Sequence, residues 1–206
     1  MNVFKYPDAV IIVFAKAPIP GQVNTRLIPD IGVEAATCLQ SELIHSRLKS
    51  LRENKLCETQ LWCSPDIEHE FFQDCNNQYG VALLKQRGNG LGERMSLAIK
   101  ESLQHHKRVV LIGTDAPSLS EDQIEIAINK LAENNDVVIA PAEDGGYVLI
   151  GMSHYCDAIF QSVSWGTDNV LQTTRNKIKA NSLLSFELKS CWDIDRMEDY
   201  QRYRNM

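Results

Sequence analysis

Residues Ala9–Leu27 read AVIIVFAKAPIPGQVNTRL, and the break at Lys16 decides how the chain is organised. The apolar run Ala9–Ala15 is short, partly β-branched and ended by turn residues, which predicts a strand destined for burial. The next residues cannot prolong it. Lys16 leaves the strand end, Pro18, Pro20 and Gly21 impose a rigid turn, and Arg26 arrives at or just before a helix start.

The same alternation continues outward from this segment. Strand-like runs are expected at Thr59–Cys63, Val81–Leu84, Val109–Gly113 and Val137–Ala140. Between them, Ala36, Leu39, Leu43, Ser46/Arg47 and Leu51 set one helical stripe; Leu91, Met95, Ala98, Ile99 and Leu103 set a second; Ile124, Ala127, Ile128 and Leu131 set a third. Strands alternating with helices predict βαβ units, hence an α/β fold whose mostly parallel central sheet carries helices on both faces. The connector PAEDGG before Gly146–Gly151 (GYVLIG) is too short for a helical crossover, so that strand is expected either to run antiparallel or to join a side ribbon. The tail adds SLLSFEL and a final helix after Asp195.

At 206 residues and 44% hydrophobic, the chain can bury one substantial core, and no shift in composition marks a second domain, so residues 1–206 are expected to form one domain. No apolar run approaches the ~18 residues of a membrane span, and no signal-peptide pattern follows Met1; a cytoplasmic location is the expectation. The six cysteines show no C-x-x-C pair and fall mostly within apolar patterns, where a reduced thiol acts as a small hydrophobe. A net charge of -6 argues against a broad nucleic-acid surface, while leaving room for local phosphate binding.

In an open α/β sheet ligands gather beyond the carboxyl ends of the strands, which directs attention to the residues just after each one. Lys16 and Arg26, on a fixed turn beside a helix N-terminus, suit a diphosphate; a solvated Pro-rich turn is the plainer reading. The loop has too little glycine for a Walker A loop or a dinucleotide fingerprint. In GTDAPSL (Gly113–Leu119), Asp115 follows a buried strand, and its hard oxygens suit Mg²⁺ or Mn²⁺ when a substrate phosphate completes the shell. Capping of the next helix is already supplied by Ser118 or Ser120, which leaves Asp115 without a structural task. Glu143 and Asp144 precede Gly145 and Gly146 in a turn that either admits a substrate closely, with Asp144 as base or sugar-hydroxyl acceptor, or is an ordinary hairpin. The RGNGLGERM loop (Arg87–Met95) reaches the same cleft edge, where a nucleoside or donor-sugar contact is plausible on position alone. In CWDIDRMEDY (Cys191–Tyr200), Asp193 and Asp195 alternate and so face opposite ways; Asp193 is the better metal ligand, and Asp195 matches the capping-box spacing to Glu198. No histidine shows metal-ligand spacing and no nucleophile elbow is present.

Taken together, FAKAPIPGQVNTRL, GNGLGERM, VVLIGTDAPSL, PAEDGGYVLIG, SWGTDNVL and WDIDRMEDY resemble the bacterial selenodomain-associated transferases, a group with the glycosyltransferase A (nucleotide-diphospho-sugar transferase) fold. The resemblance covers nearly the whole chain. It implies donor-phosphate contacts at Lys16 and Arg26, within a nucleotide site of Ala15, Lys16, Pro18, Gly21, Arg26, Gly90, Gly92, Glu93 and Arg94. A divalent metal, Mg²⁺ or Mn²⁺, would fall on Asp115 with Asp193 or Asp195. Sugar or acceptor contacts would fall on Asp144, Gly145, Gly146 and Trp165. The chain departs from the family at Asn24, where a second lysine is usual, at Ala116, where cysteine is common, and at Arg196-Met197, where Thr-Pro is usual.

Three functions are expected on this basis. The first is metal-dependent transfer of a sugar from a nucleotide-sugar to a small-molecule acceptor, with Lys16 and Arg26 stabilising the leaving nucleotide and Asp144 handling the acceptor hydroxyl. The second is nucleotidyl transfer with loss of pyrophosphate from a nucleoside triphosphate. The third is a nucleotide-binding module without turnover. Expected partners are a nucleotide or nucleotide-sugar and the acceptor, with a homodimer left open, and neither nucleic acid nor a membrane among them.

Overall fold

The computed structural model describes residues 4–206. In chain order the elements are β1 (Ala9–Lys16), α1 (Ile28–Asn54), β2 (Glu58–Ser64), α2 (Glu70–Tyr79), β3 (Ala82–Lys85), α3 (Leu91–Ser102), β4 (Arg108–Ile112), α4 (Glu121–Ala132), β5 (Val137–Pro141), β6 (Tyr147–Met152), α5 (Val170–Ala180), β7 (Ser185–Glu187) and α6 (Met197–Arg204). All seven strands join one sheet in the order β3-β2-β1-β4-β6-β5-β7. Only β6 runs against the rest, antiparallel to β4 and to β5. The short connector from β5 therefore closes a hairpin inside the sheet, and the side-ribbon alternative falls away.

Strand β1 shows why the sequence folds this way. Its side chains alternate between two faces, and both faces are covered, so Ile11 and Ile12 are each 1% exposed or less. Ala9, Ile11, Val13 and Ala15 pack with Ile44 and Leu48 of α1, Phe72 of α2 and Ile124 and Ile128 of α4. Val10 and Ile12 turn to Met95 and Ile99 of α3 and to Leu171 and Ile178 of α5. Truncating either isoleucine to alanine would cost about 2–5 kcal/mol through lost burial and the cavity left behind.

Chain direction now places the site. From β1 the chain winds outward through β2 to β3, then crosses back to lay β4 on the other side of β1. The crevice beyond the carboxyl ends of β1 and β4 is thus the topological switch point, where ligands bind in folds of this type.

Two local expectations change. Helix α1 starts at Ile28, just after Arg26 as expected, but is interrupted at Gly32, whose φ of 81° and ψ of 163° are not helical, so its long continuous part begins beyond Gly32. At the other end of the chain, Asp195 does not cap α6. Arg196 stands at the cap and Asp199 Oδ2 accepts from the Arg196 and Asp195 amides, at 2.9 and 3.2 Å. The capping carboxylate is one residue later than the Asp195/Glu198 spacing suggests, which releases the Asp195 side chain for another partner. Helix α4 is capped by Ser120, paired reciprocally with Gln123. The cysteines are all free thiols, and burial pushes Cys57, Cys63 and Cys75 up to about 12. Among the described residues no helix is long and apolar enough to cross a membrane.

Candidate active site

A cleft of about 580 Å³ opens at the switch point. One part of its wall is apolar, built from Phe14, Leu91, Met95, Leu111 and Tyr147; the other is polar, with Lys16, Asn24, Gln40, Asp115 and Asp193. A crevice of this size lined by both apolar and polar side chains fits a ligand that carries both a ring and charge.

Asp115 lines the cleft and is exposed to it. Its carboxylate keeps surface open to the cleft while protein closes around it elsewhere. This burial raises its pKa above the ordinary 3.8, Asp144 and Asp195 push the same way, and Lys16 opposes them. A Cβ at Gly113 would lie 2.6 Å from Asp115 Oδ1, so the glycine lets that carboxylate keep its present position. Asp193 comes from the far end of the chain to line the same cleft. Its pKa is raised to about 7, first by burial and then by the charges of Asp115 and Asp144.

Three contacts hold the Asp115 loop and bring Asp193 to it. Ile194 N donates to Asp115 O at 2.8 Å. Ser118 Oγ donates to Trp192 O and accepts from Trp192 N, both at 2.7 Å. From behind, the buried Arg47 donates to Ala116 O and Leu119 O, each at 2.9 Å, and reaches Glu121 at 3.4 Å. Ser118 is thus not a helix cap, and Arg47 is not a neutral break in a stripe.

The cations divide into free and paired. Lys16 ends β1 in the cleft, with its carbonyl accepting from Gln40 Nε2. Arg26 is bonded to Asp195 Oδ2 and, like Asp195, lies outside the cleft lining, although the Asp195 charge still reaches Asp115 and Asp193. Arg94 lines the cleft, bonded through Nε to Gly88 O at 3.1 Å. Asn24, where the resemblance would place a lysine, occupies a left-handed conformation with φ 47° and donates to Ala36 O at 3.0 Å, a structural task that suits an asparagine.

The remaining expected residues lie around the rim or serve the frame. Ala15 and Gly90 line the cleft, whereas Pro18 and Gly21 shape the turn outside it. Glu93 folds back to accept from Asn89 N at 2.9 Å. Gly92 lets the Trp165 indole lie on the first turn of α3, where a Cβ would be 2.2 Å from Nε1. Trp165 also meets Tyr147 edge-on at 6.2 Å. Asp144 Oδ1 accepts from Gly146 N at 2.9 Å, and Gly145, at φ 89°, packs on Asp168 O. Gln86 was not anticipated: its Nε2 is fixed on Trp62 O at 2.8 Å and Ala15 O at 3.2 Å while the residue lines the cleft.

Among the described residues no group of three or more His, Cys, Asp or Glu side chains is gathered as a metal site. Of the expected trio, Asp115 and Asp193 line the cleft, while Asp195 lies beside it in an ion pair with Arg26. Two hard carboxylates, each with its pKa raised first by burial and then by neighbouring carboxylates, still fit a hard divalent cation whose other ligands come from a substrate phosphate.

The fold and the site's position define a mixed α/β protein of the nucleotide-diphospho-sugar transferase type. Residues 47–167 match the family described as "Uncharacterized protein conserved in bacteria (DUF2064)", and the chain belongs to that family. The match includes Asp115 and Asp144, while Lys16 and Asp193 lie outside it. No curated protein sequence matches the chain. Among solved structures, a candidate nucleotide-diphospho-sugar transferase from Desulfovibrio desulfuricans G20 is similar at 29% identity, TM-score 0.84, covering 92% of this chain and 83% of that one. The inositol-1-phosphate CTP transferase from T. maritima shares the fold at 14% identity and TM-score 0.62, covering 98% and 96%. So does glucosyl-3-phosphoglycerate synthase from Mycobacterium tuberculosis, solved with Mn²⁺, UDP and glucosyl-3-phosphoglycerate, at 11% identity and TM-score 0.57, covering 95% and 75%.

Proposed function

We propose that residues 1–206 form one transferase domain that moves a sugar from a nucleotide-diphospho-sugar to a small hydroxyl-bearing acceptor, with a divalent cation. The observation that carries the reading is that Asp115, Asp193 and Lys16 line one cleft at the switch point, close enough that Asp115 raises the pKa of Asp193 and Lys16 lowers that of Asp115. Like charges brought together cost stability unless something else balances them, and a cation bound with the donor diphosphate would do so.

In this reading the nucleoside lies against Phe14, Leu91 and Met95, with Gln86 and Arg94 toward its polar edge. The diphosphate lies between Lys16 and the carboxylate pair. As the bond from the anomeric carbon to the β-phosphate oxygen breaks, negative charge grows on that oxygen, and the Lys16 ammonium stabilises it. A divalent cation on Asp115 and Asp193 would neutralise the diphosphate and polarise the leaving oxygen. Asp144 is assigned to the acceptor: Oδ1 is engaged by Gly146 N, which leaves Oδ2 to take the hydroxyl proton. Arg26, held by Asp195 at the mouth, meets the phosphates only by exchanging one anion for another.

Support comes from the 29% identical D. desulfuricans structure, named for nucleotide-diphospho-sugar transfer, and from the Mn²⁺–UDP complex of the M. tuberculosis synthase on the same fold. Nucleotidyl transfer is the second reading, favoured by the fold shared with the T. maritima CTP transferase. A panel of nucleotide-sugars and nucleoside triphosphates, each with Mn²⁺, separates them. Release of a nucleoside diphosphate from a nucleotide-sugar supports the proposal, and pyrophosphate release from a triphosphate with nucleotide-sugars intact refutes it.

A further inference from the structure

Ser118 lies two residues before the cap of α4, yet its hydroxyl takes no part in that helix. It is spent on another segment, donating to Trp192 O and accepting from Trp192 N at 2.7 Å each. The next residue is Asp193, and the residue after it, Ile194, donates its amide to Asp115 O at 2.8 Å. The main chain is thereby fastened to the Asp115 loop on both sides of Asp193, once by a side chain and once by the backbone. The two carboxylates so joined repel each other, and an unfastened Asp193 would swing toward water. Other anchors keep the segment folded: Trp192 and Ile194 are buried beside Leu39 and Leu43 of α1, and the Arg202 guanidinium lies 4.3 Å from the Trp192 ring centre.

We propose that Ser118 is a positioning residue whose paired hydrogen bonds to the main chain of Trp192 hold Asp193 at Asp115 and so assemble the cation-binding pair. The inference rests on the proposed function only in taking those carboxylates as the cation's protein ligands. Ser118 touches neither cation nor substrate; it acts through the backbone, as outer-shell groups act on metal ligands elsewhere.

The test uses the full chain as wild type, Ser118→Ala and Ser118→Thr, with Mn²⁺ as the probe, alone and in the presence of UDP. Free manganese is followed by electron paramagnetic resonance, and hydrogen exchange is followed across residues 191–195. Ser118→Ala should raise exchange in that segment and weaken Mn²⁺ binding by about 10- to 100-fold, with the melting temperature of the metal-free protein little changed. Ser118→Thr, which keeps the hydroxyl, should recover most of the affinity. Unchanged Mn²⁺ affinity in Ser118→Ala, or an equal loss in both variants, overturns the role. Wild-type protein that takes up no manganese either alone or with UDP refutes the metal reading itself, and the role of Ser118 falls with it. Should Ser118→Ala not fold, Ser118→Cys, close in size and far weaker in hydrogen bonding, carries the same comparison.

Discussion

Replacing Gly113 by alanine probes the site through a single added methyl group. Gly113 is not in the left-handed region, so its backbone accepts alanine, and the only close neighbours of the new Cβ belong to the Asp115 carboxyl, with Oδ1 at 2.6 Å and Cγ at 3.7 Å. Ordinary van der Waals contact begins at 3.4 Å, so the oxygen must retreat by about 0.8 Å, beyond the ~0.5 Å within which a constellation keeps its productive geometry. Fold stability should change by less than about 1 kcal/mol, since a side chain at a cleft surface can rotate away. Cation-dependent binding should fall by about 10- to 100-fold, as expected for misplacement on the scale of an ångström. The assay pairs thermal melting without ligand against manganese titration followed by paramagnetic resonance. A variant that binds manganese like the wild type refutes the claim that Asp115 is a ligand held in place over a glycine. One that melts many degrees lower refutes the claim that the contact is local.

Other outcomes rest on the same geometry. Arg47→Met leaves the Ala116 and Leu119 carbonyls and Glu121 without their guanidinium and should cost about 3 kcal/mol, read as a fall in melting temperature of about 6–12 °C. Asp193, raised from 3.8 to about 7, binds more protons folded than unfolded between those values, so metal-free stability should fall as pH rises from about 4 to about 7; Asp193→Asn should flatten that slope in a melting series across pH. Manganese must displace the same proton, so its affinity should rise through that range, opposite in sign to the stability trend. Lys16→Met should lower turnover of the nucleotide-sugar by about 100-fold while leaving manganese affinity no weaker, since it removes a cation opposite the carboxylates.

Residues close together in sequence disclosed most of the fold. Val10, Ile12 and their neighbours are apolar on both faces of β1, a pattern only a doubly covered strand explains, and the turn after Ala15 marked the strand's end. Helix α5 was harder to see because Thr174 occupies the buried row between Leu171 and Ile178 and blurs its period. Within the site, Asp115 stood out because it comes just after a buried strand with no capping task, and Asp193 because alternation set it apart from Asp195. What the sequence withheld were partners far along the chain. Ser118 reads as a helix cap until Trp192 is seen beside it, and Arg47 reads as a gap in an apolar stripe until its carbonyl acceptors appear. Its one local sign was a charge at a position where α1 should be buried. The Arg26–Asp195 pair joins residues 169 positions apart, a contact that no local pattern announces.

Anomalous diffraction from crystals grown with Mn²⁺ and a nucleoside diphosphate tests the central claim most directly. The account predicts one manganese peak shared by Asp115, Asp193 and the diphosphate oxygens, with Lys16 on the opposite side of the phosphates. Bound nucleotide with manganese elsewhere, or with Asp193 turned away from it, would contradict the account.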